Sequence, residues 1–151
     1  MPQITRRTTL ALGATALLAA CSGGRREEVQ RNQGPDAINA LISRYARIYD
    51  IPERLIHETV QRESGYNPAA RNGPYYGLMQ IHPQTAQTMG YRGDPSGLLD
   101  AETNLKYAGK YLRGAWLVSR GDYDRAHMWY RKGYYYEAKR MGLLEETGLR
   151  S

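Results

Sequence analysis

Apolar residues recurring at three- and four-residue spacing, interrupted each time by glycine, proline or aspartate, constrain this chain more than any other feature. Ile38, Leu41, Ile42, Tyr45 and Ile48 form one stripe, and Leu55, Ile56, Thr59 and Val60 a second. A third comprises Leu105, Ala108, Leu112, Ala115, Trp116 and Ser119. Each is one face of an amphipathic helix that must be covered by another element. The pattern predicts a mainly α chain, a small single-domain helical bundle.

Start and stop signals divide the bundle. Asp36 is placed to cap the first helix, which runs to Tyr49. Asp50 and Glu53 stand at capping-box spacing with Pro52 in the first turn, opening a second helix that Ser64 and Gly65 close. Pro83 to Met89 reads as a short helix closed by Gly90, Asp100 caps the long third stripe, and Gly121 to Asp124 turns the chain into a helix carrying Ala126, Trp129 and Tyr130. Tyr134, Tyr135 and Tyr136 open a last helix, where three adjacent tyrosines read as a packing ridge. His57 and Glu58 fall off the second stripe, and no second His or Cys stands at metal spacing.

The second stripe ends on Glu63, three and four residues beyond Val60 and Thr59 and on their face. A carboxylic acid pointed at the core side of a helix end is desolvated, which raises its pKa towards the range a general acid needs. Two readings of Glu63 stand at this point: a proton donor, or a helix-ending residue directed to water. Beyond it Gly65, Asn67 and Pro68 send the chain back across the helix end, and Gly77-Leu78-Met79-Gln80-Ile81 forms a short apolar wall whose one amide, Gln80, can hydrogen-bond a polar ligand.

Glu63-Ser64-Gly65-Tyr66-Asn67-Pro68, followed by Gly77-Leu78-Met79-Gln80-Ile81-His82-Pro83-Gln84-Thr85-Ala86, resembles the catalytic domain of the soluble lytic transglycosylases, relatives of goose-type lysozyme that cleave bacterial peptidoglycan. Asn104-Leu105 with Ala108-Gly109 and Tyr111-Leu112 is similar to the family's third motif, which packs behind the cleft. The resemblance implies an α+β lysozyme-like fold around a substrate cleft over residues 36–141, with Glu63 catalytic and Ser64, Gly77, Met79, Gln80, Tyr130 and Tyr76 along the sugar. It further implies cleavage of the MurNAc-GlcNAc β-1,4 bond without cofactor or metal, closing a 1,6-anhydro ring on the muramic sugar. The other acids, such as Asp36, Asp50, Asp100 and Asp122, stand at caps and turns, so the substrate's own N-acetyl group supplies the second function in that scheme. Two alternatives are a hydrolytic muramidase on the same scaffold and a wall-binding envelope lipoprotein that has lost activity.

The chain departs from the family pattern twice. Trp129-Tyr130-Arg131-Lys132-Gly133 replaces Ala-Tyr-Asn-x-Gly, keeping the tyrosine, whose hydroxyl in the family points at the catalytic acid, but losing the asparagine. The loop Arg71-Asn72-Gly73-Pro74-Tyr75-Tyr76 is shorter than usual and ends in two tyrosines that either stack on a sugar or narrow the cleft.

Residues 1–20 have a basic start and an apolar run from Leu10 to Ala20 too short to span a bilayer, the pattern of a signal peptide. Leu18-Ala19-Ala20-Cys21 resembles the bacterial lipobox and implies a lipid on Cys21; an ordinary cleavage site beside a chance cysteine is the other reading. Thr5-Arg6-Arg7-Thr8-Thr9-Leu10 is compatible with twin-arginine or general export. Residues 21–35 read as a flexible tether and 142–151 as a C-terminal tail. The net charge of +6 favours a polyanionic partner, but without a dense Lys/Arg run in the folded part it reads as a mildly cationic surface, not a nucleic-acid site. The expected partners are peptidoglycan glycan strands and, through Cys21, a bacterial membrane, preferentially the outer one, for a monomer facing the periplasm. Thirteen tyrosines and two tryptophans against no phenylalanine provide flat faces with polar edges, suited to sugars and to half-buried packing alike.

Overall fold

The computed structural model describes residues 35–150; the expected signal peptide, the lipidation at Cys21 and nearly all of the tether lie outside the described residues. Helices α1 (Pro35–Tyr49) and α2 (Glu53–Ser64) come first, followed by a two-stranded hairpin, β1 (Arg71–Asn72) and β2 (Tyr75–Tyr76). Then come α3 (Pro83–Thr88), a 3-10 turn (Pro95–Leu99), α4 (Ala101–Ser119), α5 (Tyr123–Lys132) and α6 (Tyr135–Met141). The architecture is mainly α, as the stripes predict. Among the described residues no helix is long and apolar enough to cross a membrane.

The third stripe becomes the axis of the molecule. Asp100 caps α4 by accepting from the Thr103 N–H at 2.8 Å, and Leu105, Ala108, Leu112 and Ala115 are fully buried. Around it pack α1, α5, α3, the 3-10 turn and α6. Small residues let neighbours approach: a Cβ on Gly114 would lie 2.1 Å from the Tyr134 hydroxyl, whose ring lies over this turn and whose O–H donates to the Tyr111 carbonyl at 2.8 Å. Between α2 and α5, the buried His127 stands 3.1 Å from a Glu58 carboxylate oxygen and 3.3 Å from the Thr59 hydroxyl. This polar tie fixes the two helices that carry Glu63 and Tyr130.

Several local expectations change. The Asp50–Glu53 capping box does not form: Asp50 takes a left-handed conformation (φ 50°), Pro52 holds the N-cap position without a side-chain bond, and Glu53 accepts from Ser43 of α1 instead. The helix join thus uses a tertiary bond where the local one was expected. Ile48 is 55% exposed, while Ala46 takes the buried position and Tyr49 reaches α4, its O–H donating to the Lys106 carbonyl. Of the three tyrosines only Tyr134 is buried; Tyr135 and Tyr136 open α6, where successive residues point about 100° apart and face solvent. Residues 142–150 continue the packed body: Leu144 and Thr147 are buried, and Arg113 of α4 donates to the Glu146 carbonyl at 2.6 Å.

Candidate active site

The site is assembled where α2 ends. Gly65 takes the left-handed conformation (φ 58°) and its N–H returns to the Gln61 carbonyl, so the helix ends at Ser64, one residue after Glu63. Asn67 then bridges the turn, its side-chain oxygen accepting from the Ala69 N–H at 3.0 Å and its carbonyl from Ala70. Tyr66 is tied back to α2 through the His57 imidazole at 2.8 Å, which gives the off-stripe histidine a supporting place.

The wall opposite Glu63 is the loop Gly77–Gln80. Tyr76 and Ile81 exchange two backbone bonds of 3.1 Å and close it into a tight turn, with Gln80 left-handed at φ 46°. Behind it stands Asn104 of α4, completely buried. Its Oδ1 accepts from the Met79 N–H at 2.9 Å while Nδ2 donates to the Tyr76 and Leu98 carbonyls, each at 2.8 Å. Gly77 is required here on two counts: φ is +75°, and a Cβ would meet Asn104 Nδ2 and the Leu98 carbonyl at 2.3 Å. From α5 the buried Tyr130 donates its hydroxyl proton to the Met79 carbonyl at 2.8 Å, so α4 and α5 grip the same loop.

Between these walls lies a cleft of about 610 Å³ into which Glu63, Gln80, Tyr130 and Tyr111 project, with Tyr75 and His82 at the hairpin side and Arg131 and Lys132 at the end of α5. Among the described residues Glu63 is the only carboxylate lining it. Burial pushes the Glu63 carboxyl above its ordinary value, and the positive charges of Arg131 and then Arg62 pull in the opposite direction without reversing it. Burial also raises the Tyr130 phenol well above its ordinary value, and the nearby Glu63 charge adds to the rise. Tyr111 is pushed up to about 12 by burial alone, so both phenols stay protonated donors. The arrangement offers one carboxyl, its proton affinity raised by burial, in a groove of hydrogen-bonding and aromatic groups. Among the described residues no group of three or more His, Cys, Asp or Glu is placed to hold a metal.

Residues 40–137 match the Transglycosylase SLT domain family, well over half of the chain. The chain belongs to this family. It is also similar to the soluble lytic murein transglycosylases of Escherichia coli K12 and of Escherichia coli O157:H7, each 36% identical over 87 residues. The match covers 52% of this chain and 13% of each relative, so the likeness covers a small part of much longer proteins. No solved structure matches at a significant level.

Within this SLT domain the residues singled out in the sequence take different places. Glu63, Gln80 and Tyr130 share the cleft. Both N–H groups of Gln80 are taken up by the Ala70 and Gly77 carbonyls at 3.1 and 2.9 Å, which turns its amide oxygen into the group it presents. Ser64 bonds the Val60 and Leu78 carbonyls, joining the helix end to the loop. Met79 is fully buried, and its contribution to the site is the carbonyl that Tyr130 grips. Gly77 serves the close approach to Asn104.

At the hairpin it is Tyr75, 46% exposed, that lines the cleft. Tyr76 is half-buried under the Arg71 guanidinium, which donates to its hydroxyl at 2.9 Å. The alternation of a strand sends adjacent side chains to opposite faces, which decides between the two. Sequence reasoning passed over His82, Gln84 and Thr85, which line the cleft from the start of α3. All three belong to the second motif, and the signal was that the motif continues past Gln80 into a helix start.

Proposed function

We propose that this chain is a peptidoglycan lytic transglycosylase that breaks the β-1,4 bond between N-acetylmuramic acid and N-acetylglucosamine, using Glu63 as acid and then as base. The observation that carries this reading is the single, half-buried carboxylate of the cleft, its pKa raised by desolvation. Glycosidases ordinarily use two carboxylates; a site with one fits substrates that bring their own nucleophile.

In this scheme the Glu63 carboxyl gives its proton to the glycosidic oxygen as the bond to C1 breaks. The N-acetyl carbonyl oxygen of the muramic sugar closes on C1. Glu63, now a carboxylate, takes the proton of the C6 hydroxyl, and O6 displaces the acetamido oxygen from C1. The ring closes as a 1,6-anhydro sugar, the acid is again protonated, and no water is consumed. Gln80 accepts from a sugar hydroxyl through its amide oxygen, and Tyr130 holds the Met79 carbonyl so that the wall beside the acid keeps its shape. The Ser64 bonds hold the end of α2, and with it Glu63, against that wall.

The two Escherichia coli relatives are named for murein, which supports this substrate; action on the periplasmic side of the cell envelope is part of the same proposal. A lipid on Cys21 would hold the domain at a membrane surface. Glu63→Gln is expected to keep the fold and lower the release of muropeptides from purified sacculi by about 100-fold or more. Mass analysis of the parent's products should find anhydro-muramic ends. Equal clearing by parent and variant would overturn the catalytic role, and reducing ends in place of anhydro ends would make the enzyme a muramidase.

A further inference from the structure

We propose that the cleft selects its strands by charge: Arg62, Arg131 and Lys132 recognise carboxylates on the peptide substituents of the glycan. This deepens the reading above and rests on it. Three cations line the groove against the one carboxylate of Glu63, leaving a positive excess where a neutral sugar polymer would give it no partner.

Unpaired cations are common on this surface; what marks the groove is that three of them line it together. Arg44 pairs with Glu102, Arg54 with Glu58 and Arg140 with Glu137, all within 2.8 Å. Among the described residues Arg62, Arg131 and Lys132 pair with no acid within 4.0 Å. Each stands in the last turn of its helix, where the helix dipole favours a cation. The dipole accounts for a cation on either helix, but not for two helix ends converging on one groove. Arg131 also occupies the position where the family pattern has a neutral asparagine, so this chain adds charge to the wall beside the acid. Its charge acts on Glu63, favouring the ionised carboxylate against burial.

A carboxylate entering such a groove gains charge-assisted hydrogen bonds from guanidinium and ammonium groups that are already gathered there. Peptidoglycan strands carry free carboxylates on their peptides, whereas chitin-type polymers of N-acetylglucosamine carry none.

The test compares native sacculi with the same sacculi after their carboxylates have been converted to amides by carbodiimide and ammonia. The full chain is the enzyme, alongside Arg131→Gln and Arg131→Gln/Lys132→Gln. The parent should cleave native strands with kcat/KM about tenfold above amidated ones, the worth of one hydrogen bond to a charged group. The double variant, which keeps only Arg62, should lose most of the preference, and the preference of the parent should shrink with added salt. The ratio between substrates is read because a changed Glu63 pKa moves both rates together. Cosedimentation of the Glu63→Gln protein with the two kinds of sacculi reads the same preference without turnover. Equal treatment of both substrates by the parent, in cleavage and in binding, overturns the proposal and leaves the transglycosylase reading standing. Selective binding with no cleavage by the parent does the reverse. A double variant that keeps the full preference also overturns it, since the selectivity then lies elsewhere.

Discussion

Glu63 is held between two opposing influences. Burial at the end of α2 disfavours its charged form, while Arg131 and Arg62 favour it, and burial wins. A carboxyl whose pKa is higher in the folded than in the unfolded chain weakens folding wherever it ionises. At low pH both states hold the proton and nothing is lost. As pH rises through the unfolded value the unfolded chain releases its proton first, stability falls, and the loss is complete above the folded value. Glu63→Gln should therefore melt at a higher temperature than the parent at pH 7 to 8, with the difference disappearing below about pH 4, the ordinary range of a glutamate. Thermal melts across that range check it, and a variant that is less stable at neutral pH would mean that Glu63 is stabilised by its surroundings. The same residue that costs stability is the one proposed to give the reaction its acid.

The Gly77–Gln80 loop has almost no regular structure, yet it is held from three directions: Ser64 of α2, Asn104 of α4 and Tyr130 of α5. Asn104 carries most of this, since its one amide satisfies the Met79 N–H and two carbonyls in a site without solvent. Asn104→Ala should cost about 2 kcal/mol or more, because the Met79 N–H and the Leu98 carbonyl lose their side-chain partner together, while the Tyr76 carbonyl keeps the Ile81 N–H. Chemical denaturation measures the loss, and muropeptide release should fall with it even at temperatures where the variant is folded, because the wall facing Glu63 is no longer fixed. A variant with native stability would show that the loop closes on itself through the Tyr76–Ile81 pair alone. Substitution by aspartate separates the roles further, since its carboxylate keeps the acceptor for Met79 but loses both donors.

At the scale of the molecule, α4 is the post against which the other elements lean, and its last exposed side is covered by residues 142–150. Leu144 is buried there, Thr147 turns its hydroxyl to the Leu143 and Leu144 carbonyls, and Arg113 holds the Glu146 carbonyl. A chain ending at Met141 should lose about 2 kcal/mol for Leu144 alone, equivalent to a fall of about 5–10 °C in Tm. Calorimetry of the full and shortened proteins checks this, and an unchanged Tm would reduce the segment to a dispensable appendage. No residue of this segment lines the cleft, so the shortened protein should keep its release of muropeptides at low temperature.

What the amino-acid sequence determined by itself is what depends on near neighbours. Stripes at helical spacing gave the helices, Asp100 and Gly65 gave two of their ends, and the motif from Glu63 to Ala86 marked where the chemistry lies, because each is a relation among residues a few positions apart. The tertiary structure alone decided which of Tyr75 and Tyr76 meets the cleft, that Met79 serves through its carbonyl, that Glu53 would turn to Ser43 instead of capping its own helix, and that three cations would line one groove with Glu63. Those outcomes follow from contacts between residues up to dozens of positions apart. Burial and charge at a given atom are sums over all that surrounds it, and no local pattern contains that sum.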